Sequence, residues 1–385
     1  LEELGTLLAV GEAINNNGAK AVYTQTNDPN GNSVIAHAVL SNGKIDINSI
    51  KTFNTEGNGG QGLDAEGNPQ PIDPLFSQGA ITRGGLMLFA VNAGSNTLSM
   101  FNINPNDPTS LTLAGKPQNT LGEFPVSVAF SEKLQTACVV NGGKLNGISC
   151  FKANKDTGLT PLDNQQRPLE INTLSTPPVG PLGTVSHILF SPDSSNLFVT
   201  VKGNPEDSTA PLGFLGSFPV VDGKVSSDPI RKSTPNGSVV LFGSAFSGDN
   251  TFIATDAGFG AITLDIDPAT GSANASSTTK VDGQVATCWA AFNKNTQTTF
   301  ITDIGQPSIN EVNAQGDIIN TLNLEGVTGM IDIAASNNNF VYSLAPTESS
   351  LVVSQSLNNG LQQEQVLKMN LDNGLTTFMG MVVFQ

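Results

Sequence analysis

The chain is short of charge, and of positive charge above all. Only 13% of its 385 residues are charged, and 17 Lys+Arg stand against 33 Asp+Glu, a formal net charge of −16. A surface so poor in cations has no sequence-independent hold on a phosphate backbone, which excludes nucleic acid as a partner. No apolar run is long enough to span a bilayer, so membrane insertion is not expected. Three Cys cannot build a dense disulfide framework. A Ser nucleophile elbow, a P-loop, a Rossmann glycine fingerprint and a His-x-x-x-His metal pair are all missing, so no cofactor is expected. No spacing demands a metal ion, although Asp256, Asp303 and Asn141 are oxygen donors of the kind Ca²⁺ or Mg²⁺ takes. The 3.6-residue pattern marks no amphipathic helix longer than about two turns.

What is abundant is Gly, at 40 residues, together with Asn, Ser and Thr. Two acceptor sequons, Asn236-Gly237-Ser238 and Asn274-Ala275-Ser276, fit a secreted glycoprotein, although such triplets also arise by chance in an Asn/Ser-rich chain. The chain opens at Leu1 without an initiator Met, as signal-peptide processing or a trimmed start would leave it. An extracellular protein, monomeric and folded as one domain over 1–385, is the expectation.

Internal repetition decides the fold. Short apolar strands recur, most of them ending in a polar residue: Ala21–Asn27, Leu86–Asn92, Thr136–Asn141, Leu197–Val201, Thr251–Asp256, Thr298–Asp303 and Phe340–Leu344. From Asn27 to Leu344 is 317 residues over six intervals, a mean period of roughly 53. A turn and a second alternating strand follow each core, as in Ser33–Val39, Asn146–Phe151 and Gly260–Asp265. Another short strand precedes it, clearest in Val126–Phe130, His187–Phe190 and Ala290–Phe292. With a weaker outer strand, each repeat is one four-stranded antiparallel blade. The expected fold is all-β, a seven-bladed β-propeller, because radial repetition leaves only short, protected edges. Leu1–Val10 and Thr376–Phe384 are expected to meet in one blade and close the ring. Thr55–Pro74 and Leu169–Gly183 read as loops between blades.

The run Ser186-His187-Ile188-Leu189-Phe190-Ser191-Pro192-Asp193, followed by Leu197-Phe198-Val199, resembles the lactonase-family propellers. That family includes bacterial 6-phosphogluconolactonase and fungal carboxy-cis,cis-muconate cyclase. Phe124–Ser131 and Phe246–Asp249 are degenerate copies of the same turn, and Asn141, Cys150-Phe151 and Thr157-Gly158-Leu159 follow the family's spacing. The resemblance implies a site at the mouth of the central channel where a His, Arg residues and a Glu handle a carboxylate-bearing lactone. His187 matches the family's histidine. Lys202 follows the core where the family places Arg, Asp256 stands where it places Glu, and Val239–Gly243 replaces its His-Arg pair.

Residues that begin the innermost strands ring a propeller's channel, which groups Gln78, Ser127, His187, Gly243 and Trp289. Those that end the next strand form a second ring: Asn27, Asn92, Asn141, Asp256 and Asp303. Asn and Asp are depleted in strands, so this second ring calls for a reason; turn capping is favoured for most, with Asp256 the expected exception. His187 is a candidate acid/base, and Lys202 a point charge for an anionic group. Gln78, Ser127, Asn141 and Trp289 are candidate substrate contacts, the indole by stacking on a sugar or lactone ring; packing between blades is the competing role for Trp289. His37 reads as structural or solvent-facing, and Arg83 as exposed. Cys138 and Cys150 lie on adjacent strands on either side of the Gly142-Gly143-Lys144 turn, within reach of a disulfide. Two functions remain open: a secreted lactonase or muconate-cyclase-like enzyme opening or closing a small lactone, and a non-catalytic extracellular propeller binding a glycan or a protein.

Overall fold

The computed structural model describes residues 18–207, 212–369 and 375–385. Seven antiparallel sheets carry the chain, six of them built in sequence order from the axis outward. From blade 2 to blade 7 the innermost strands are Ile81–Gly84, Pro125–Ser131, Val185–Phe190, Leu241–Phe246, Thr287–Asn293 and Ile331–Ala335. Each touches the next around a ring.

Blade 1 closes that ring with both ends of the described chain. Met379–Phe384 is its innermost strand and pairs antiparallel with Ala21–Gln25, in the register Ala21↔Phe384 and Tyr23↔Val382. Thr376–Phe384 therefore supplies one closing strand as expected; the expected partner Leu1–Val10 lies outside the described residues, and the blade's other strands are Ala21–Gln25, Ser33–Ala38 and Lys51–Asn54.

The burial of each strand follows from its place in the blade. The second strands, such as Thr136–Asn141, Asn196–Val201, Thr298–Asp303 and Phe340–Ala345, are buried at every residue, because both faces of a blade are covered by its neighbours. Their continuous apolar runs are thus the signature of a central position. Outer strands meet water on one side, and Ile318–Asn323 alternates between half-buried and exposed. Phenylalanines fill the seams: Phe89 meets Phe130 between blades 2 and 3, and Phe198 meets Phe246 and Phe252 between blades 4 and 5. Burying each such ring contributes about 1.5–3 kcal/mol.

Cys138 and Cys150 sit directly opposite each other on paired strands of blade 3 and are joined by a disulfide. Cys288 is free and buried. His37 is completely buried in mid-strand, which makes it structural and not solvent-facing. Arg83 departs from the expectation of an exposed turn. It lies in the innermost strand of blade 2, donates through Nε to Val383 O at 2.9 Å and covers the Phe384 ring.

Candidate functional site

The inner strands are not regular. In blades 3 to 7 each breaks register near its start, opposite the end of its partner, leaving Val126, Ser186, Phe242 with Gly243, Cys288 and Asp332 outside the ladder. A bulged residue has no cross-strand partner, so its backbone groups are free to bond elsewhere. Buried backbone polar groups must find partners: Thr200 Oγ1 donates to Phe242 O and Thr255 Oγ1 to Gly243 O and Cys288 O, while the Val126 and Ser186 carbonyls face the axis.

The chain supplies the partner itself. After the long Thr55–Pro74 loop, residues Phe76–Gly79 cross the channel before blade 2 begins. Ser77 Oγ donates to Val126 O at 2.8 Å, and Gln78 N to Ser186 O at 3.1 Å. The Gln78 side chain reaches the far wall, donating to Ala290 O at 2.9 Å and to Ser244 O at 3.4 Å while accepting from Ala290 N at 3.0 Å. Trp289 Nε1 donates to Ser77 O, and Val128 N to Gly79 O. Asp332 takes the Gly380 amide and faces that of Gly79. Blades 3 to 7 thus all hold one axial segment. Gly79 has φ +84°, and a Cβ there would stand 2.8 Å from Ser127 Oγ and 3.0 Å from the His187 ring, so only glycine fits.

Gln78 is therefore not a wall residue of the channel, as its place in the strand alignment implied, but the residue that fills it. Ser127, His187, Gly243 and Trp289 do surround the axis, and they face this segment. Ser127 Oγ accepts from Ile188 N at 3.3 Å, and a Cβ on Gly243 would strike Gln78 Oε1. Trp289 is fully buried, bonded to Ser77 and edge-on to Phe242, so neither ring face is open to a ligand.

Lys202 lies beneath the segment, 2% exposed. Its Nζ donates to Phe76 O at 2.7 Å, Ser186 Oγ at 2.7 Å, Val185 O at 3.0 Å and Thr184 Oγ1 at 3.1 Å, and stands 4.4 Å from the Phe242 ring centroid. An ammonium has three protons, so four acceptors leave none for a substrate. Burial pulls its pKa down to about 7, with Asp73 opposing the shift. Burial likewise holds the Asp73 carboxyl well above its ordinary range, with Lys202 opposing.

The second ring caps turns, Asp256 included. Its carboxylate accepts the amides of Val239 at 2.7 Å, Val240 at 2.9 Å and Gly258 at 2.9 Å. Asp303 repeats the arrangement one blade on, with Val285, Ala286 and Gly305. Asn27 clamps the long loop through Gly60, and Asn141 Nδ2 bonds Thr120 O and Gly147 O. Sequence position alone could not separate Asp256 from its equivalents. The oxygens of Asp256 and Asp303 are committed to amides, and among the described residues no three His, Cys, Asp or Glu converge as metal ligands.

Two cavities flank the axial segment at opposite ends of the inner strands. One, of about 320 Å³, opens where those strands begin, between blades 4 and 6, over Asp73, Phe76, Lys202, Phe242 and Cys288. The other, of about 380 Å³, lies where they end, between blades 3 and 4, and is lined by His187, Phe130, Glu132, Lys133 and Pro192. His187 Nδ1 is 2.8 Å from Ser244 Oγ, and burial pulls its pKa down to about 3. The ring is neutral at pH 7 and a weak base. His187 and Lys202 thus line different cavities. Asp73, Asp332 and Ser244 complete the axial cluster and were not singled out from sequence. The available signals were an Asp between prolines in Pro71-Ile72-Asp73-Pro74 and a carboxylate interrupting the apolar run Met330–Ala334. The sequons Asn236 and Asn274 are both exposed.

No family model matches the chain, and no curated protein matches it. Solved structures do. The periplasmic gluconolactonase PpgL of Pseudomonas aeruginosa superposes with a TM-score of 0.61 at 15% identity, over 90% of this chain and 95% of that one. A Bacteroides fragilis protein assigned provisionally as a 6-phosphogluconolactonase gives a TM-score of 0.62 at 9% identity, over 97% of this chain and 100% of the other. A Bacteroides uniformis protein with the same provisional assignment gives 0.60 at 13%, over 92% and 98%. At these identities the likeness is one of fold: the chain is a seven-bladed β-propeller built like the structures named as lactonases.

Proposed function

We propose that this chain is an extracellular, ligand-binding propeller in which the lactonase scaffold no longer carries lactonase catalysis. One observation carries the reading: Phe76–Gly79 occupies the axis, splits His187 from Lys202, and takes part of the bonding capacity that a substrate would need. Asp256, the third candidate catalyst, is spent on three backbone amides. The pocket where the inner strands begin is the ligand site, being concave, mostly apolar and floored by a few polar groups. A disulfide, exposed sequons and the periplasmic source of one structural neighbour support an extracellular setting.

Lactone ring opening or closing is the second reading, favoured by near-complete superposition on structures named as lactonases and by the His187–Ser244 contact beside a cavity. The deciding experiment is turnover of gluconolactone, its 6-phosphate and a carboxymuconolactone by purified protein beside His187→Ala. The expected result is no turnover above buffer. Turnover that vanishes with the imidazole would establish the enzyme instead.

A further inference from the structure

The pocket over the axial segment has apolar walls from Leu182, Val239, Val240, Ala286 and Ile304, and a floor of Asp73, Lys202 and Cys288. We infer that it takes a neutral, largely apolar molecule with one hydrogen-bonding head group, and refuses sugar phosphates and other anions. This deepens the binding reading above and rests on it.

The donor inventory makes the argument. Lys202 is the only cation among the described lining residues, and its N–H groups point to four protein oxygens within 3.1 Å. An anion entering the pocket would leave water, meet apolar walls and find no free charged donor, a transfer that unpaired ions strongly resist. A cation fares no better: it meets the Lys202 ammonium at the floor, burial disfavours the ionised form of Asp73, and Glu206, which would attract it, stands exposed to solvent. Gln70 and Glu206 add no donor that offsets this for an anion: Glu206 repels it, and Gln70 is an uncharged amide.

Asp73 sets the head group. Its carboxyl is buried and already accepts the Ser77 amide at 3.2 Å, so the capacity left to it is that of one carboxyl. Protonated, it donates and accepts; ionised, it accepts. A ligand hydroxyl answers both states. The volume, about 320 Å³, lies at the small end of ligand pockets and suits one or two rings.

The test uses matched ligands on one ring: cyclohexylmethanol, cyclohexylmethylamine, cyclohexanecarboxylate and, separately, glucose 6-phosphate. Binding is followed by calorimetry and ligand-observed NMR on the wild type, Ala286→Leu and Val285→Trp. Ala286 is a wall residue, while Val285 is 58% exposed at the rim, so its variant fills the mouth without disturbing the core. The alcohol should bind at least tenfold more tightly than the amine, the carboxylate or the phosphate, and either variant should abolish that binding at unchanged thermal midpoint. Carboxylate or phosphate binding as tight as the alcohol, and blocked by Val285→Trp, would overturn the ligand class while leaving the binding reading intact. No binding by any of the four would overturn both.

Discussion

Trp289 donates its indole N–H to the carbonyl of Ser77 at 3.1 Å, which ties the one tryptophan of the chain to the segment that crosses the propeller axis. The indole is therefore an internal reporter of that segment. Gln78→Ala removes three bonds to blades 5 and 6 and leaves buried backbone groups without partners. The expected loss is about 2–4 kcal/mol of stability, at roughly 1–3 kcal/mol per orphaned group with partial relaxation. Urea unfolding followed by tryptophan emission reads both effects. An unchanged midpoint and an unchanged emission maximum would show that the segment is not held as described.

Lys202→Met separates a structural lysine from a substrate-binding one. A lysine kept for a ligand can be lost with little change in stability. Here its removal strips the donor from four buried oxygens, and the expected loss is about 3–5 kcal/mol. Lys202→Arg should not rescue it, since a planar guanidinium cannot copy an ammonium's arrangement of donors. A variant as stable as the wild type in urea would return Lys202 to the list of functional candidates.

Acid should act on this protein through His37. Both its ring nitrogens are buried without a hydrogen-bond partner among the described residues, and burial pulls its pKa from 6.5 to about 4. Between those values the unfolded chain holds the proton and the folded chain does not. The His37 contribution therefore falls as pH drops from 6.5 to 4 and is flat below, while that of His187, whose pKa is pulled down to about 3, goes on falling to that point. The slope is at most about 1.4 kcal/mol per pH unit. Asp332 works the other way. Burial lifts its pKa from 3.8 to about 7, so the native state holds the extra proton and gains stability as pH falls across that window. Relative to wild type, His37→Leu should therefore gain stability between pH 6.5 and 4.5, and Asp332→Asn should lose it. Parallel pH profiles for all three proteins would refute the assignment.

The disulfide closes a short loop in blade 3, with a sequence separation of 12 and both sulfurs buried. Replacing both cysteines with alanine should destabilise the fold by about 2–4 kcal/mol, a range typical of native disulfides. Reductant should leave the bond intact in native buffer and cleave it in urea, which thiol alkylation and mass spectrometry distinguish. Rapid reduction of the native protein would mean that blade 3 opens locally.

Much of the fold was legible because it rests on local patterns. Apolar runs about 53 residues apart marked the second strands, and those strands are buried on both faces. Cys138 and Cys150 could be paired because a hairpin fixes register about its turn, so residues equidistant from its centre at Lys144 must oppose each other. The site was far less legible. Gln78 falls in line with Ser127 and His187 by spacing, yet the regular strand of blade 2 begins only at Ile81. Nothing periodic in the Gly- and Pro-rich residues before it says that the chain turns inward.

The repeat, the all-β class, the blade hairpins, the disulfide and the poverty of cations were all readable from the amino-acid sequence. Each follows from residues near one another in the chain or from composition. Only the tertiary structure decided what stands at the axis. Bulges free the Val126 and Ser186 carbonyls toward the channel, and Phe76–Gly79 bonds to them and to Ser244 and Ala290, up to 212 residues away in sequence. Whether Lys202, Asp256 and Trp289 meet a ligand or hold the fold depends on which groups lie within hydrogen-bond distance of them. That distance is set by the closing of seven blades around one axis, which no local pattern encodes.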